Sequence, residues 1–249
     1  MLSQTQFLQL LAPVVCRAQA RGDASTAGFI DRAAGYVLTL LDCKEEVNVS
    51  KSQHRLALRR YQWFDQEALC FFEQYPEGVG IEVAGGLSTR FHRLSEQLDW
   101  PRFSWRAVNT PSVDDCIGFI FPELDNHMHV ACTKPLEDFT KTIHWRQAQP
   151  KLIIVGDDKP LLGVKALHTL LLSIQSKLTD ETPQVTLLVG CKTVSLSALQ
   201  ENMTGIDGIK EMPNIESRSL LTGLVRQYWP WYKKPVSGYK IVISRIFEA

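Results

Sequence analysis

Apolar residues recur at helical spacing through the first third of the chain, at Phe7, Leu8, Leu10 and Leu11 and again at Phe29, Ile30, Ala33, Ala34, Val37, Leu38 and Leu41. This spacing predicts two helices. A third is expected from about His54 to Gln74, where Leu56, Leu58, Phe64, Leu69 and Phe72 give a face suited to a lid packed on the remainder of the chain. After Pro76-Glu77-Gly78 the texture changes to short β-type runs, at Val79 to Val83, Phe103 to Val108, His127 to Cys132, Leu152 to Val155, Val185 to Val189 and Tyr239 to Ile246. Strands that alternate with helical or polar segments predict βαβ units, and so an α/β fold with a mostly parallel sheet and helices on both faces. No helix follows the last run, which predicts an antiparallel strand closing the sheet. The expected division is an N-terminal helical extension or lid over residues 1–75 and one α/β domain over residues 76–249, since 75 residues make a marginal core by themselves.

Composition narrows the function more than the fold. The 249 residues are 45% hydrophobic, which supports a substantial core and excludes disorder as the main state. Lys and Arg number 27, against 27 Asp and Glu, so the bulk electrostatic footprint of a polyanion binder is missing and no nucleic-acid partner is expected. No apolar run approaches the roughly 18 residues of a membrane span. The apolar stretch Phe7 to Cys16, followed by Ala18-Gln19-Ala20, imitates a signal peptide, but no Lys or Arg precedes Arg17, and the segment reads as an amphipathic helix. The six cysteines form no C-x-x-C pair, so buried, reduced thiols in a cytoplasmic protein are expected, with neither a metal site nor a disulfide framework.

The segment richest in chemistry is Gly80-Ile81-Glu82-Val83-Ala84-Gly85-Gly86-Leu87-Ser88-Thr89-Arg90-Phe91, in which a strand enters a turn of small residues and a helix comes after it. Such turns lie at the carboxyl end of a parallel strand, where the backbone can approach a nucleotide-like ligand closely. The alternative is a tight turn that needs glycine for packing alone. Glu82 to Arg90 resembles the glycine-rich "LGAGLDTR" signature of the leucine carboxyl methyltransferase family, whose members use S-adenosyl-L-methionine (SAM) and release S-adenosyl-L-homocysteine (SAH). Arg60-Tyr61-Gln62-Trp63-Phe64-Asp65 resembles the family's preceding "RtrffD" element, and Trp105 to Pro111 its later "fEVDLP". The resemblance runs from about residue 55 to the C-terminus, and the first signature carries its specificity.

That resemblance implies a Rossmann-like class I methyltransferase fold of seven strands. It implies that Ala84, Gly85 and Gly86 lie against the methionine part of the cofactor, that Glu82 reaches its amino group, and that Arg90 braces the turn. Arg60 would face the cofactor carboxylate, a pairing that suits the guanidinium fork, although an exposed cation beside Arg59 is an equal reading. The departures are at the strand ends. Asn109 stands where the family has the acid that holds the ribose hydroxyls, Thr133 replaces the acid after the third strand, and Gly156-Asp157 followed by Asp158 replaces an "EG" pair. A hydrogen bond to a charged partner contributes roughly 1.5 to 3 kcal/mol against about 1 for a neutral one, so one such change costs about tenfold in affinity. Three together abolish useful binding unless Asp157, Asp158 or Glu82 makes replacement contacts.

Three further groups have a chemical and a plain reading. His127 and His129, two apart in a strand, share a face and could ligate a metal, but no third ligand is evident. Asp157 and Asp158 could act as general base for an acceptor hydroxyl, or start a helix ahead of Pro160. Tyr228-Trp229-Pro230-Trp231-Tyr232-Lys233-Lys234 could stack a base or a planar substrate, or form a packed hairpin or an interaction surface, the reading that the balanced charge favours. Two functional expectations result. One is a SAM-dependent methyltransferase acting on an oxygen of a small molecule or on a carboxyl group, of a small molecule or a protein. The other is a methyltransferase-like binding or scaffold protein without cofactor turnover. The acceptor and the oligomeric state have no signature in the sequence.

Overall fold

The computed structural model describes residues 2–20, 29–42, 51–145, 148–156, 162–178, 184–191, 206–212 and 237–243. Three helices come first. Helix α1 (Gln4–Ala18) starts at a capping box in which Ser3 Oγ accepts the Gln6 N–H at 3.3 Å and Gln6 Oε1 accepts the Ser3 N–H at 2.9 Å. Helix α2 (Arg32–Leu40) is capped by Asp31, whose Oδ1 accepts the Ala34 N–H at 2.8 Å. Helix α3 (Lys51–Gln74) runs a few residues beyond the expected start and ends just ahead of Pro76.

The strands are β1 (Val79–Val83), β2 (Ser104–Asn109), β3 (His127–Ala131), β4 (Lys151–Val155), β5 (Val185–Cys191), β6 (Ile206–Glu211) and β7 (Ser237–Ile243). Between them lie α4 (Arg90–Gln97), α5 (Pro111–Ile120), the single-turn α6 (Pro135–Asp138) and α7 (Val164–Gln175). All six expected runs are strands, with ends shifted by one or two residues where both ends are described. The sequence pattern missed β6, whose only apolar side chains are those of two isoleucines and whose pairing with β7 is interrupted near Gly208.

The seven strands form one sheet in the order β3-β2-β1-β4-β5-β7-β6. The first five are parallel, and β7 is antiparallel between β5 and β6. This is the Rossmann-like class I methyltransferase fold. Its chain direction across the sheet reverses between β1 and β4, the switch point outside which open α/β sheets bind their ligands.

Alternation along each strand sorts side chains onto two faces. Ile81, Val83, Val108, Ile153, Val155 and Leu187 pack against Leu167, Leu171 and Ile174 of α7 and against Phe139. On the other face Trp105, Leu152, Ile154 and Leu188 meet Phe64 and Phe72 of α3 and Phe91 and Leu94 of α4. A Cβ on Gly80 would stand 2.2 Å from the Trp105 ring, so glycine at this strand position lets the indole lie across β1. Among the described residues no helix is long and apolar enough to cross a membrane.

Candidate functional site

The register of the central strands brings four chain segments to one edge of the sheet. Val83 is level with Val108 and Val155, and Asn109 with Ala131, so Thr133, Asn109, Ala84 and Gly156 follow one another along the carboxyl ends of β3, β2, β1 and β4. The turn after β1 is held to the sheet by the Ala84 N–H, which donates to the Val108 carbonyl at 2.8 Å. Ala84 has φ 55° and Gly86 φ 58°. The left-handed conformation is free for glycine but costs alanine about 1 kcal/mol, and Ala84 carries its methyl into solvent. A Cβ on Gly85 would stand 2.8 Å from Glu82 Cγ, and one on Gly86 2.9 Å from Leu10 Cδ2. Glu82 therefore folds beneath the turn, and α1 covers its outer side.

Under the turn lies a charge-balanced buried network. Glu82 accepts from Arg90, whose Nε donates to Asp65 Oδ1 at 2.8 Å. Arg93 donates from Nε to Asp65 Oδ2 at 2.7 Å and from a terminal nitrogen to Asp31 Oδ2 at 2.7 Å. Thr89 Oγ1 donates to the same Asp31 oxygen at 2.5 Å. Arg17 joins Asp31 at 3.1 Å and donates to the Leu87 carbonyl at 2.8 Å. Three guanidiniums and three carboxylates thus tie α1, the start of α2, α3, β1 and α4 to one another. Burial alone would raise the Asp31 carboxyl, but Arg93, Arg17 and the Thr89 hydroxyl hold it below its ordinary value.

Asn109 is 2% exposed. Its Oδ1 accepts the Gly86 N–H at 3.0 Å, which leaves Nδ2 buried with no hydrogen-bond partner among the described residues. Thr133 is exposed beyond β3, and Gly156 turns at φ 72° beyond β4. Arg60 is half-buried on α3, one turn before Phe64. Asp157, Asp158 and the aromatic segment 228–234 lie outside the described residues.

A narrow cleft runs beneath the turn, lined by Glu82, Gly86, Trp105, Asn109, His127 and His129 among others. The two histidines share the helix-covered face of β3, as their spacing predicts. The sequence pattern did not single out their neighbour His92 on α4, whose ring meets that of His127 edge-on at 5.7 Å between centroids. His127 lies 4.7 Å from His129 and stacks on Phe91 at 4.3 Å. Burial, with His129 and His92 beside it, pushes His127 down to about 3, and burial also lowers His92 and His129. Among the described residues no group of three or more His, Cys, Asp or Glu side chains is arranged to hold a metal ion.

No family model matches the sequence, and no curated protein matches it. Solved structures do match. One is a Thermobifida fusca protein assigned as a methyltransferase, with a TM-score of 0.49 at 12% identity, covering 99% of this chain and 100% of that one. Human N-acetylserotonin methyltransferase in complex with SAM gives a TM-score of 0.45 at 9% identity, over 98% of this chain and 68% of that one. A plantazolicin methyltransferase in complex with SAH gives 0.43 at 10% identity, over 97% and 99%. All three are methyltransferases by name.

Proposed function

We propose that this protein is a SAM-dependent methyltransferase that transfers the methyl group to an oxygen of a small molecule or of a carboxyl group, as a divergent relative of the leucine carboxyl methyltransferases acting in the cytoplasm. The observation that carries this reading is Asn109. It stands at the end of β2, beside the switch point, with a buried amide nitrogen that nothing else in the described structure satisfies. A ribose hydroxyl oxygen can accept from that nitrogen, so the residue fits the cofactor even without the family's acid. The left-handed turn fits as well, because Ala84 and Gly86 carry almost no side chain of their own.

When bound, SAM would supply an electrophilic methyl group on a sulfonium. The protein's part is placement. The turn would cradle the methionine portion, Arg60 would face its carboxylate, and Asn109 and Thr133 would hold the adenosine side. Glu82 lies directly beneath Gly85, which supports an orienting role for it. Holding the acceptor oxygen in line with the methyl group contributes most of the rate in such transfers, so a strong general base is not required. Asp157 or Asp158 would serve if one is used.

A second reading rests on a specific observation. Leu10 occupies the space above Gly86, and the Gly86 N–H is already taken by Asn109. A cofactor-free binding or scaffold protein built on this fold would have this arrangement. Calorimetric titration with SAM and SAH separates the two readings, with thermal shift as the second readout. Saturable binding is expected, and ligand at 100 times its Kd should add about 2.7 kcal/mol of stability. Absence of any response at millimolar SAM and SAH would overturn the methyltransferase reading in favour of the second.

A further inference from the structure

Six buried side-chain nitrogen and oxygen atoms without a hydrogen-bond partner among the described residues lie together beneath the candidate crevice. They are His92 Nε2, His127 Nδ1, both ring nitrogens of His129, Asn109 Nδ2 and Asp114 Oδ1. Three of the four residues besides Asn109 are imidazoles, drawn from α4 and β3 and packed ring against ring. The charged groups that face them are Arg93 and Glu96 on α4, Asp31 at the start of α2, Asp114 on α5, Glu123 ahead of β3 and Glu82 on β1. Asp31 and Glu96 attract a proton toward His92, and Asp114 and Glu123 toward His129, but burial prevails in each ring. His127 feels chiefly its own burial and the imidazoles of His129 and His92.

We propose that His92, His127 and His129 form a proton-operated latch on the crevice above them. While the rings are neutral they pack as a block between α4, α5 and the edge strand β3, with Asn109 seated in the same cleft against Gly86. Protons that enter the block place like charges within one ring's breadth of each other, and no ion pair among the described residues joins His127 to a carboxylate. The rings are then relieved only when α4 and α5 part from β3 and admit water. That movement draws on the turn between β1 and α4 and so on the seat of Asn109.

Hydrogen exchange of the full chain, corrected for the intrinsic effect of pH, tests this without any ligand. Protection of residues 90–97, 111–120 and 127–131 should fall by about 30-fold between pH 7.5 and pH 5, the factor set by one ring that titrates at 6.5 when open and at about 3 when closed. Protection of α7, on the opposite face, should fall only as far as global stability falls, and at pH 5 it should exceed that of these three segments. His127→Phe keeps the stack on Phe91 and should remove most of that fall, and His129→Gln, at a half-buried position, should remove part of it. Exchange of both faces at the same opening free energy at pH 5, or the same fall in both variants as in the parent, would overturn the latch. A second arm rests on the methyltransferase reading: SAH affinity should weaken over the same pH range, and less so in His127→Phe. If SAH binds at no pH while the exchange response holds, the cofactor reading fails and the latch stands. If SAH binds with an affinity that does not change over this range, the latch does not reach the crevice and the proposal falls.

Discussion

Ala84 carries a cost that its neighbour Gly86 does not. Both sit at positive φ, and only the alanine has a Cβ to crowd the next carbonyl. Ala84→Gly removes that strain but loosens the unfolded chain, so a net gain in stability of about 0.5 to 1 kcal/mol is expected from urea denaturation. Asn109 supports a sharper prediction. Asn109→Asp keeps an acceptor for the Gly86 N–H and turns the unpartnered nitrogen into an acceptor for a ribose hydroxyl proton. Titration with SAH should show binding about tenfold tighter, the difference between a neutral and a charged hydrogen bond. The sequence marks Asn109 as a missing acid, but it cannot reveal that one half of the amide is engaged and the other half is not. That distinction depends on Gly86, 23 positions away in the chain and 3.0 Å away in space.

Whole elements were legible wherever apolar residues keep a helical period or form a short unbroken run. Helices α1 to α3 follow from a period near 3.6, and β1, β4 and β5 from short apolar runs buried on both sides. Strand β6 escaped because it packs at the edge with a bulge and few apolar residues. The charge network escaped for a different reason: Arg17, Asp31, Asp65, Glu82, Arg90 and Arg93 come from five elements or their caps, and no spacing in the chain links them. It makes the elements interdependent. Asp65→Ala would leave Arg90 and Arg93 buried with one partner fewer each, and a loss of about 3 to 5 kcal/mol is expected in chemical denaturation. A reciprocal loss of protection in α1 would accompany it, since Arg93 and Arg17 share Asp31.

At the scale of the molecule, stability should depend on acid in a way that the balanced overall charge conceals. His127 titrates at 6.5 in the unfolded chain and at about 3 in the folded one, so the unfolded chain takes up the proton first as pH falls. The stabilisation is complete above 6.5 and is lost progressively between 6.5 and about 3. This ring alone should account for a loss of about 2 kcal/mol at pH 5, read as a lower urea midpoint than at pH 7.5. His127→Phe should flatten that slope. Asp31, held below 3.8 by its arginines, adds an acid-sensitive contribution only below that range.

Leu10, seated on Gly86, has a further consequence for the pace of ligand exchange. A side chain that must leave before the turn can be reached makes capture a two-step event, with helix displacement first and contact second. Rapid-mixing measurements of SAH capture should therefore reach a plateau as ligand concentration rises, with the plateau rate equal to the rate at which α1 lifts from the turn. Residence time would then be governed by the N-terminal helix, through a leucine that makes none of the contacts by which the ligand is recognised.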